Sequence, residues 1–192
     1  GDVVLPLLRQ QKDGEECLSL SDFVKPCGTD YVGAFAVTAG RGIEEIISGY
    51  QQTDDFKALL YQSLSDRLAE AAAELLHARV RREVWGYAPD EQIDRQRALR
   101  AQYRGIRPAA GYPSLPDQSA IFAIEKIVGF ANVGIAVTPN GAMSPASSVS
   151  GLMIAHPASH YFMIGAIAPD QRRDYAARRG ITEEELSKWL PK

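Results

Sequence analysis

The segment RPAAGYPSLPD, residues 107–117, decides how the rest of the chain must be organised. Its three prolines exclude an α-helix and a central strand, because proline lacks an N–H donor and fixes φ. The segment therefore predicts an extended loop that its surroundings hold in place. Arg107, the backbone amides and carbonyls, and Gly111 beside Tyr112 could together grip a small zwitterion. A purely structural loop, whose arginine pairs with a helix end, accounts for the same residues.

Upstream of this loop, the sequence predicts a strand and a long amphipathic helix. Residues 31–37 (YVGAFAV) alternate bulky and small side chains, which is typical of a strand with one closely packed face. Thr53, Asp54 and Asp55 are typical of a helix start, with the hydroxyl as cap and the carboxylates near the positive end of the dipole. Apolar residues then recur at spacings of three and four until Gly86 stops the pattern: Phe56, Leu60, Leu64, Leu68, Ala72, Leu75 and Leu76. Further helices are expected at 43–50 and between 90 and 105.

Downstream of the loop, the patterns predict a helix, a strand pair and two more helices. The elements are a helix at 119–130 with Ile121, Ile124, Ile127 and Val128 inward, antiparallel strands at 148–155 and 161–167, a helix from Pro169 to Gly180, and a helix capped by Thr182 with Glu185. The fold class expected is α+β, with a mainly antiparallel twisted sheet flanked by helices. No repeat or linker interrupts the chain, so residues 1–192 are interpreted as a single domain.

Composition excludes several classes of function. The chain has 192 residues and a formal net charge of −3, whereas dedicated nucleic-acid binders carry a basic face. The sequence contains no run of about 18 apolar residues, so it predicts no membrane-spanning helix. The two cysteines, Cys17 and Cys27, encode no disulfide framework. We therefore expect a soluble, cytoplasmic protein without nucleic-acid or membrane partners.

Other motifs favour structural interpretations. Residues 40–42 (GRG) lack the third glycine of a dinucleotide loop and predict a strand-to-helix turn. His156 and His160 flank Pro157 in a loop, with no cysteine or acidic partner nearby, so no metal site is expected. Ser150 lacks the first glycine of a hydrolase elbow, and no catalytic residue is assigned.

Residues 103–117 (YRGIRPAAGYPSLPD) closely resemble the signature segment of the activation domain of cobalamin-dependent methionine synthase. Further segments resemble the same family in the same order: 20–24 (LSDFV), 30–37 (DYVGAFAV), 66–71 (DRLAEA), 85–89 (WGYAP), 146–151 (ASSVSG) and 174–180 (DYAARRG). The resemblance extends over nearly the whole chain from Leu8 onward. The N-terminal helical part of the family domain has no counterpart here, nor do the modules for homocysteine, folate and cobalamin.

The resemblance implies an S-adenosylmethionine (AdoMet) domain that reactivates methionine synthase. In this family the domain caps the cobalamin-binding domain, and flavodoxin or a flavoprotein reductase supplies an electron. Inactive Co(II) cobalamin is then remethylated by AdoMet to methylcobalamin. The implied enzyme is the 5-methyltetrahydrofolate–homocysteine methyltransferase of methionine biosynthesis, and the implied partner is its cobalamin-binding domain or subunit. The isolated chain is not expected to make methionine or to bind cobalamin alone.

The resemblance also implies a set of AdoMet-binding residues. Asp22 matches a carboxylate that holds a polar group, and Arg107 matches the partner of the AdoMet carboxylate. The other candidates by motif position are Gly111 and Tyr112 in the loop, the aromatic pair Tyr161 and Phe162, and Glu70 for the ammonium side. AdoMet carries a carboxylate, two cationic groups and an adenine, and this set of residue types suits them.

Three positions depart from the family pattern. Ala101 stands where some relatives carry glutamate, Gln118 replaces a histidine, and Phe162 replaces a second tyrosine. The loss of an acidic contact at Ala101 motivates an alternative, a docking or regulatory module of a corrinoid methyltransferase system that no longer binds AdoMet usefully. A methyltransferase for another acceptor is a third interpretation, although no glycine-rich AdoMet loop follows the first strand.

Overall fold

The computed structural model describes residues 2–191, which divide into two compact units. Unit 1 comprises the residues up to 34, residues 104–124 and the chain from 151 onward, and unit 2 comprises residues 35–103 and 125–150. The elements in chain order are β1 (Gly33–Thr38), α1 (Ile43–Gln51), α2 (Asp55–Arg79), α3 (Arg95–Leu99), α4 (Ala120–Val128), β2 (Ala136–Val137), β3 (Met143–Ser144), β4 (Ser148–Met153), α5 (Pro169–Arg179) and α6 (Glu183–Leu186).

The strands form two small sheets among the helices. β1 is hydrogen-bonded to β4, and β2 pairs antiparallel with β3 so that Ala136 lies opposite Ser144. The α+β class predicted from the sequence is confirmed. Within the described residues, no helix has both the length and the apolar composition needed to cross a bilayer.

Helix α2 is the long helix that the sequence predicts, but its leucines do not form its buried face. The buried residues are small or polar: Ala58, Ser65, Ala69, Ala73 and His77. Phe56, Leu60, Leu64, Leu68 and Leu75 are all exposed. The expected hydroxyl cap at Thr53 is also wrong, since the Asp54 carboxylate accepts the hydrogen bond from Lys57 N at 3.0 Å.

The core of unit 1 joins the N-terminal segment to the C-terminal helices. Its buried members are Leu8, Ile164, Tyr175, Ala176, Leu186 and Leu190. Asp117, at the end of the proline-rich loop, is 1% exposed and lies beside this core. Its Oδ2 accepts from the Tyr175 hydroxyl at 2.7 Å and from Arg179, and its Oδ1 accepts from Ser119 N at 2.9 Å.

Three expectations about elements are wrong. Residues 161–167 form no strand, so the predicted hairpin with 148–155 does not exist. The helix expected between 90 and 105 covers only the five residues of α3. Ile127 of α4, expected to point inward, is 55% exposed. The turn at 40–42 is confirmed, because Gly42 precedes α1 with a φ of 78°.

Candidate functional site

The loop at 107–117 is held against the end of β4, within unit 1. Ile106 and Ile154 exchange two backbone hydrogen bonds of 2.9 Å, and Leu152 N donates to Pro108 O at 2.9 Å. Gly151 lies directly under the loop, where a Cβ would overlap the Pro108 carbonyl oxygen. The loop can approach the strand this closely because residue 151 has no side chain.

Tight turns fix the shape of the loop itself. Gly111 N donates to Leu115 O at 2.9 Å, and Leu115 N donates to Tyr112 O at 2.8 Å. Gly111 has a φ of 81°, which L side chains rarely adopt, and a Cβ there would also overlap Oε1 of Gln118. The prediction that residues 107–117 form neither a helix nor a central strand is confirmed, but the segment turns tightly at 111–115 instead of running extended.

Arg107 and Tyr161 meet through the backbone of the loop. The Tyr161 hydroxyl accepts a hydrogen bond from Arg107 N at 3.0 Å. Tyr161 keeps 43% of its surface exposed, and Tyr112 keeps 57%. Two aromatic side chains of unit 1 are therefore open to solvent on the segments that the sequence assigns to AdoMet.

The segment around Phe162 is bonded to the loop instead of to a strand. Ser114 Oγ donates to Phe162 O and accepts from Phe162 N at 3.2 Å, and Ile164 N donates to Pro113 O at 2.9 Å. These bonds use the groups that a β-ladder would need, which explains the missing strand. The Phe162 ring lies 6.2 Å from the Phe23 ring and is half-buried.

Asp22 lies in a single turn of 3₁₀-helix at Leu20–Phe23, where its carboxylate already has partners. Arg9 Nη1 donates to Oδ2 at 2.6 Å and Arg9 Nη2 donates to Oδ1 at 2.5 Å, and Ser19 N donates to Oδ2 at 2.8 Å. The hydrogen bonds from Arg9 hold the pKa of Asp22 below its ordinary value, and Asp22 in turn raises the pKa of Arg9.

Glu70 and Ala101 belong to unit 2, whereas the other six candidates belong to unit 1. Glu70 lies on α2 and is half-buried. Ala101 has a φ of 51°, the only positive φ among the described residues other than glycine. The backbone at this departure from the family pattern is therefore left-handed, which suits glycine better than alanine.

Two comparisons identify the family. The family model described as "Vitamin B12 dependent methionine synthase, activation domain" matches residues 2–180. The chain belongs to this family. A solved structure, the MetH reactivation domain bound to AdoHcy, superposes on this activation domain with a TM-score of 0.89 and 40% sequence identity. The match covers 95% of this chain and 58% of the other, so this chain spans less than two thirds of that relative.

Sequence reasoning missed two residues that shape the site of this activation domain. Arg9 is 13 positions from Asp22, and no spacing rule connects an arginine to a carboxylate across a loop of that length. Ser114 binds the Phe162 backbone through both its donor and its acceptor functions. Its place between Pro113 and Pro116, where backbone donors are scarce, is the signal that could have indicated such a role.

The histidines and cysteines add no further site. His77 is fully buried and bonded to the Tyr87 hydroxyl at 3.2 Å, whereas His156 and His160 are exposed in their loop. Cys17 and Cys27 are both free thiols. Over residues 2–191, no three His, Cys, Asp or Glu side chains come together as metal ligands would.

Proposed function

We propose that this activation domain binds AdoMet and supports the reductive remethylation of inactive Co(II) cobalamin in a vitamin B12-dependent methionine synthase. The observation that carries the proposal is the relative with 40% identity, which was solved with AdoHcy bound. AdoHcy is AdoMet without the transferred methyl group, so a site for one has the groups required by the other.

The residues of unit 1 have the chemistry that AdoMet requires. The Arg107 guanidinium is a suitable partner for the amino-acid carboxylate, because the two groups form parallel hydrogen bonds. Tyr112 and Tyr161 offer exposed rings for the adenine or the cationic sulfonium. Because Gly111 has no side chain, the turn around it leaves space for the ligand beside the loop. Phe162 supports this arrangement through its backbone bonds to Ser114.

Asp22 contacts a neutral donor of the ligand in this proposal. Arg9 and Ser19 together give the carboxylate three hydrogen bonds, and a carboxylate accepts about four. One position on Oδ1 therefore stays available. Because Arg9 compensates its charge, Asp22 suits an amino group or hydroxyl of the nucleoside better than an ammonium. Glu70 stays the candidate for the ammonium side.

Bound AdoMet supplies an electrophilic methyl group, and the residues of this chain bind and orient it. The proposed partners are the cobalamin-binding domain or subunit, which holds the cobalamin, and flavodoxin or a flavoprotein reductase as electron donor. The proposed location is the cytoplasm. Methionine synthesis itself requires modules beyond the residues of this chain.

The test is calorimetric titration of the chain with AdoMet and with AdoHcy. We expect saturable binding of one ligand per chain. Arg107→Ala should weaken binding by about 2–4 kcal/mol, since it removes a charge-assisted pair. Asp22→Asn should weaken it less, because Asp22 offers the ligand one hydrogen bond from a carboxylate whose charge Arg9 already compensates.

Arg173→Ala is the matched control, because Arg173 is an exposed arginine of α5 in the same unit. It should bind as the wild type does. If Arg107→Ala also binds as the wild type does, the carboxylate is held elsewhere. Absence of binding at millimolar AdoMet would favour the alternative, a docking module without a useful AdoMet site.

A further inference from the structure

Arg9 is held in place through its backbone as well as through its side chain. The Gln171 side chain of α5 binds both polar groups of this backbone: Oε1 accepts from Arg9 N at 2.8 Å, and Nε2 donates to Arg9 O at 2.9 Å. Arg9 also forms an isolated antiparallel bridge with Ser19. These contacts fix residue 9 beside the 3₁₀ turn that carries Asp22.

The next residue, Gln10, supports the same segment from within unit 1. It is 5% exposed, its Nε2 donates to Met163 O at 2.7 Å, and its Oε1 accepts from Leu18 N at 3.0 Å. Met163 directly follows the aromatic pair Tyr161 and Phe162 that is proposed to bind AdoMet. Side-chain amides therefore hold the backbone around Arg9 rigidly, which a side chain needs if it is to keep one geometry.

The Arg9 guanidinium and the Asp22 carboxylate form two parallel hydrogen bonds, of 2.6 Å to Oδ2 and 2.5 Å to Oδ1. Arg9 Nη1 also donates to Cys17 O at 2.7 Å. A bidentate contact of this kind fixes the orientation of both planar groups. The position left on Oδ1 therefore has a fixed direction, and the two side chains together have no net charge.

We propose that Arg9 determines how strongly the site responds to the charge of its ligand. The inference rests on the proposed function, in which Asp22 contacts AdoMet. AdoMet carries one more positive charge than AdoHcy, because its sulfur is a sulfonium. A carboxylate alone at position 22 would favour AdoMet, whereas the neutral Arg9–Asp22 pair binds both ligands with the same contribution. Arg9 acts through Asp22 and is a positioning residue.

The experiment compares the dissociation constants of AdoMet and AdoHcy for the whole chain, by calorimetric titration at low ionic strength. Arg9→Gln leaves the Asp22 charge uncompensated and should raise the preference for AdoMet about three- to tenfold over the wild type. Asp22→Asn leaves the Arg9 charge uncompensated and should shift the preference toward AdoHcy by a similar factor. The double variant restores neutrality and should return the preference to the wild-type value. Added salt should reduce both shifts.

Two further variants separate charge from structure. Arg9→Lys keeps the charge but loses the bidentate geometry, so it should weaken binding of both ligands and leave their ratio as in the wild type. Arg178→Gln is the matched control, because Arg178 pairs with Asp174 at 41% exposure, against 48% for Arg9, and also donates to Leu7 O at 3.3 Å. It should leave both affinities unchanged. Thermal unfolding verifies that each variant folds.

Opposite shifts in the two single variants would support the inference, because a loss of structure weakens binding of both ligands alike. Equal ratios in all variants, shifts of the same sign, or a shift in Arg178→Gln as large as in Arg9→Gln would overturn the inference while the proposed function stands. Binding of neither ligand to the wild type would refute the proposed function and the inference with it.

Discussion

Arg9 and Asp22 are the residues whose pairing most affects how the candidate site responds to pH. Both side chains are partly exposed, at 48% and 33%, so solvent weakens the attraction despite two short hydrogen bonds. The lowered pKa of Asp22 means that the folded state binds the proton of this carboxyl more weakly than the unfolded state does. The stabilisation is therefore complete at neutral pH and is lost as acid protonates Asp22.

Asp22→Asn should lower the free energy of unfolding by about 0.5–1 kcal/mol at pH 7. The asparagine oxygen still accepts from Ser19 N, so the variant removes mainly the charge. The difference from wild type should persist at pH 5 and disappear once the pH falls below about 4 and through the lowered pKa. Urea unfolding of both proteins at pH 7, 5 and 3 measures it. A difference that stays constant down to pH 3 would contradict the assigned cause.

At the scale of elements, helix α2 marks where pattern reasoning succeeds and where it fails. The spacing of apolar residues correctly predicted a long helix: α2 ends at Arg79, and a π-helical turn at Val80–Val84 continues it almost to Gly86. Leucine spacing did not predict which side of α2 is buried, because the buried side of this helix in unit 2 consists mainly of alanine and serine. Small residues permit a close approach of backbones, so the leucines lie on the opposite, exposed side of the helix.

Ala73→Leu tests this orientation. Ala73 is fully buried, so three additional carbons must displace its neighbours, at a cost of about 1–3 kcal/mol in the free energy of unfolding. Ala71→Leu, two residues earlier and exposed, makes the same chemical change and should leave stability within about 0.5 kcal/mol. Urea unfolding compares the two variants, and equal losses would mean that the buried face is assigned incorrectly.

The strand expected at 161–167 failed for a reason that a single sequence does not reveal. Its run of aromatic and apolar residues, YFMIGAI, is typical of a buried strand. Ser114 and Pro113 of the neighbouring loop form hydrogen bonds with the backbone of this segment, where a strand would have a partner strand. Hydrogen bonds from side chains and loops, unlike those of a β-ladder, produce no periodic pattern in the sequence.

At the scale of the molecule, the family motifs predicted more than periodicity did. Helix existence, the α+β class and the irregular loop at 107–117 followed from the spacing of apolar residues, prolines and glycines. The loop residues by themselves indicated at most a site for a small zwitterion, and their assignment to AdoMet came from the resemblance, because arginine, tyrosine and glycine in a loop have many structural uses. The assignment of Asp22, Glu70 and Arg107 to a ligand stays a prediction, as does the single domain over 1–192.

Asp117 joins three distant parts of unit 1 and should control its stability. Its carboxylate binds Tyr175 and Arg179 of α5, and the Tyr175 hydroxyl is also 3.2 Å from Pro6 O. Burial is the main cause of the raised pKa of Tyr175, followed by the charge of Asp117, so the phenol stays a donor. The loop, the N-terminal segment and α5 thus share one buried polar cluster.

Asp117→Asn should lower the free energy of unfolding by about 2–4 kcal/mol, because Arg179 loses its charged partner in a largely buried setting. The Arg179 side chain is 20% exposed, which keeps the loss below that of a fully buried pair. Asp174→Asn breaks an exposed pair with Arg178 and should cost less than about 0.5 kcal/mol. Chemical unfolding measures both, and a loss at Asp117 no larger than at Asp174 would refute the role of the cluster.

Gly151 has a consequence for engineering this loop into other scaffolds. The backbone of residue 151 directly supports Pro108, next to Arg107, and the separation between strand and loop depends on the missing side chain. Copying residues 107–117 onto a strand with alanine at that point would displace the guanidinium although every loop side chain proposed to face AdoMet had been transferred. The smallest transplantable form of the site therefore includes the glycine beneath it, which contributes no chemical group and sets where the arginine stands.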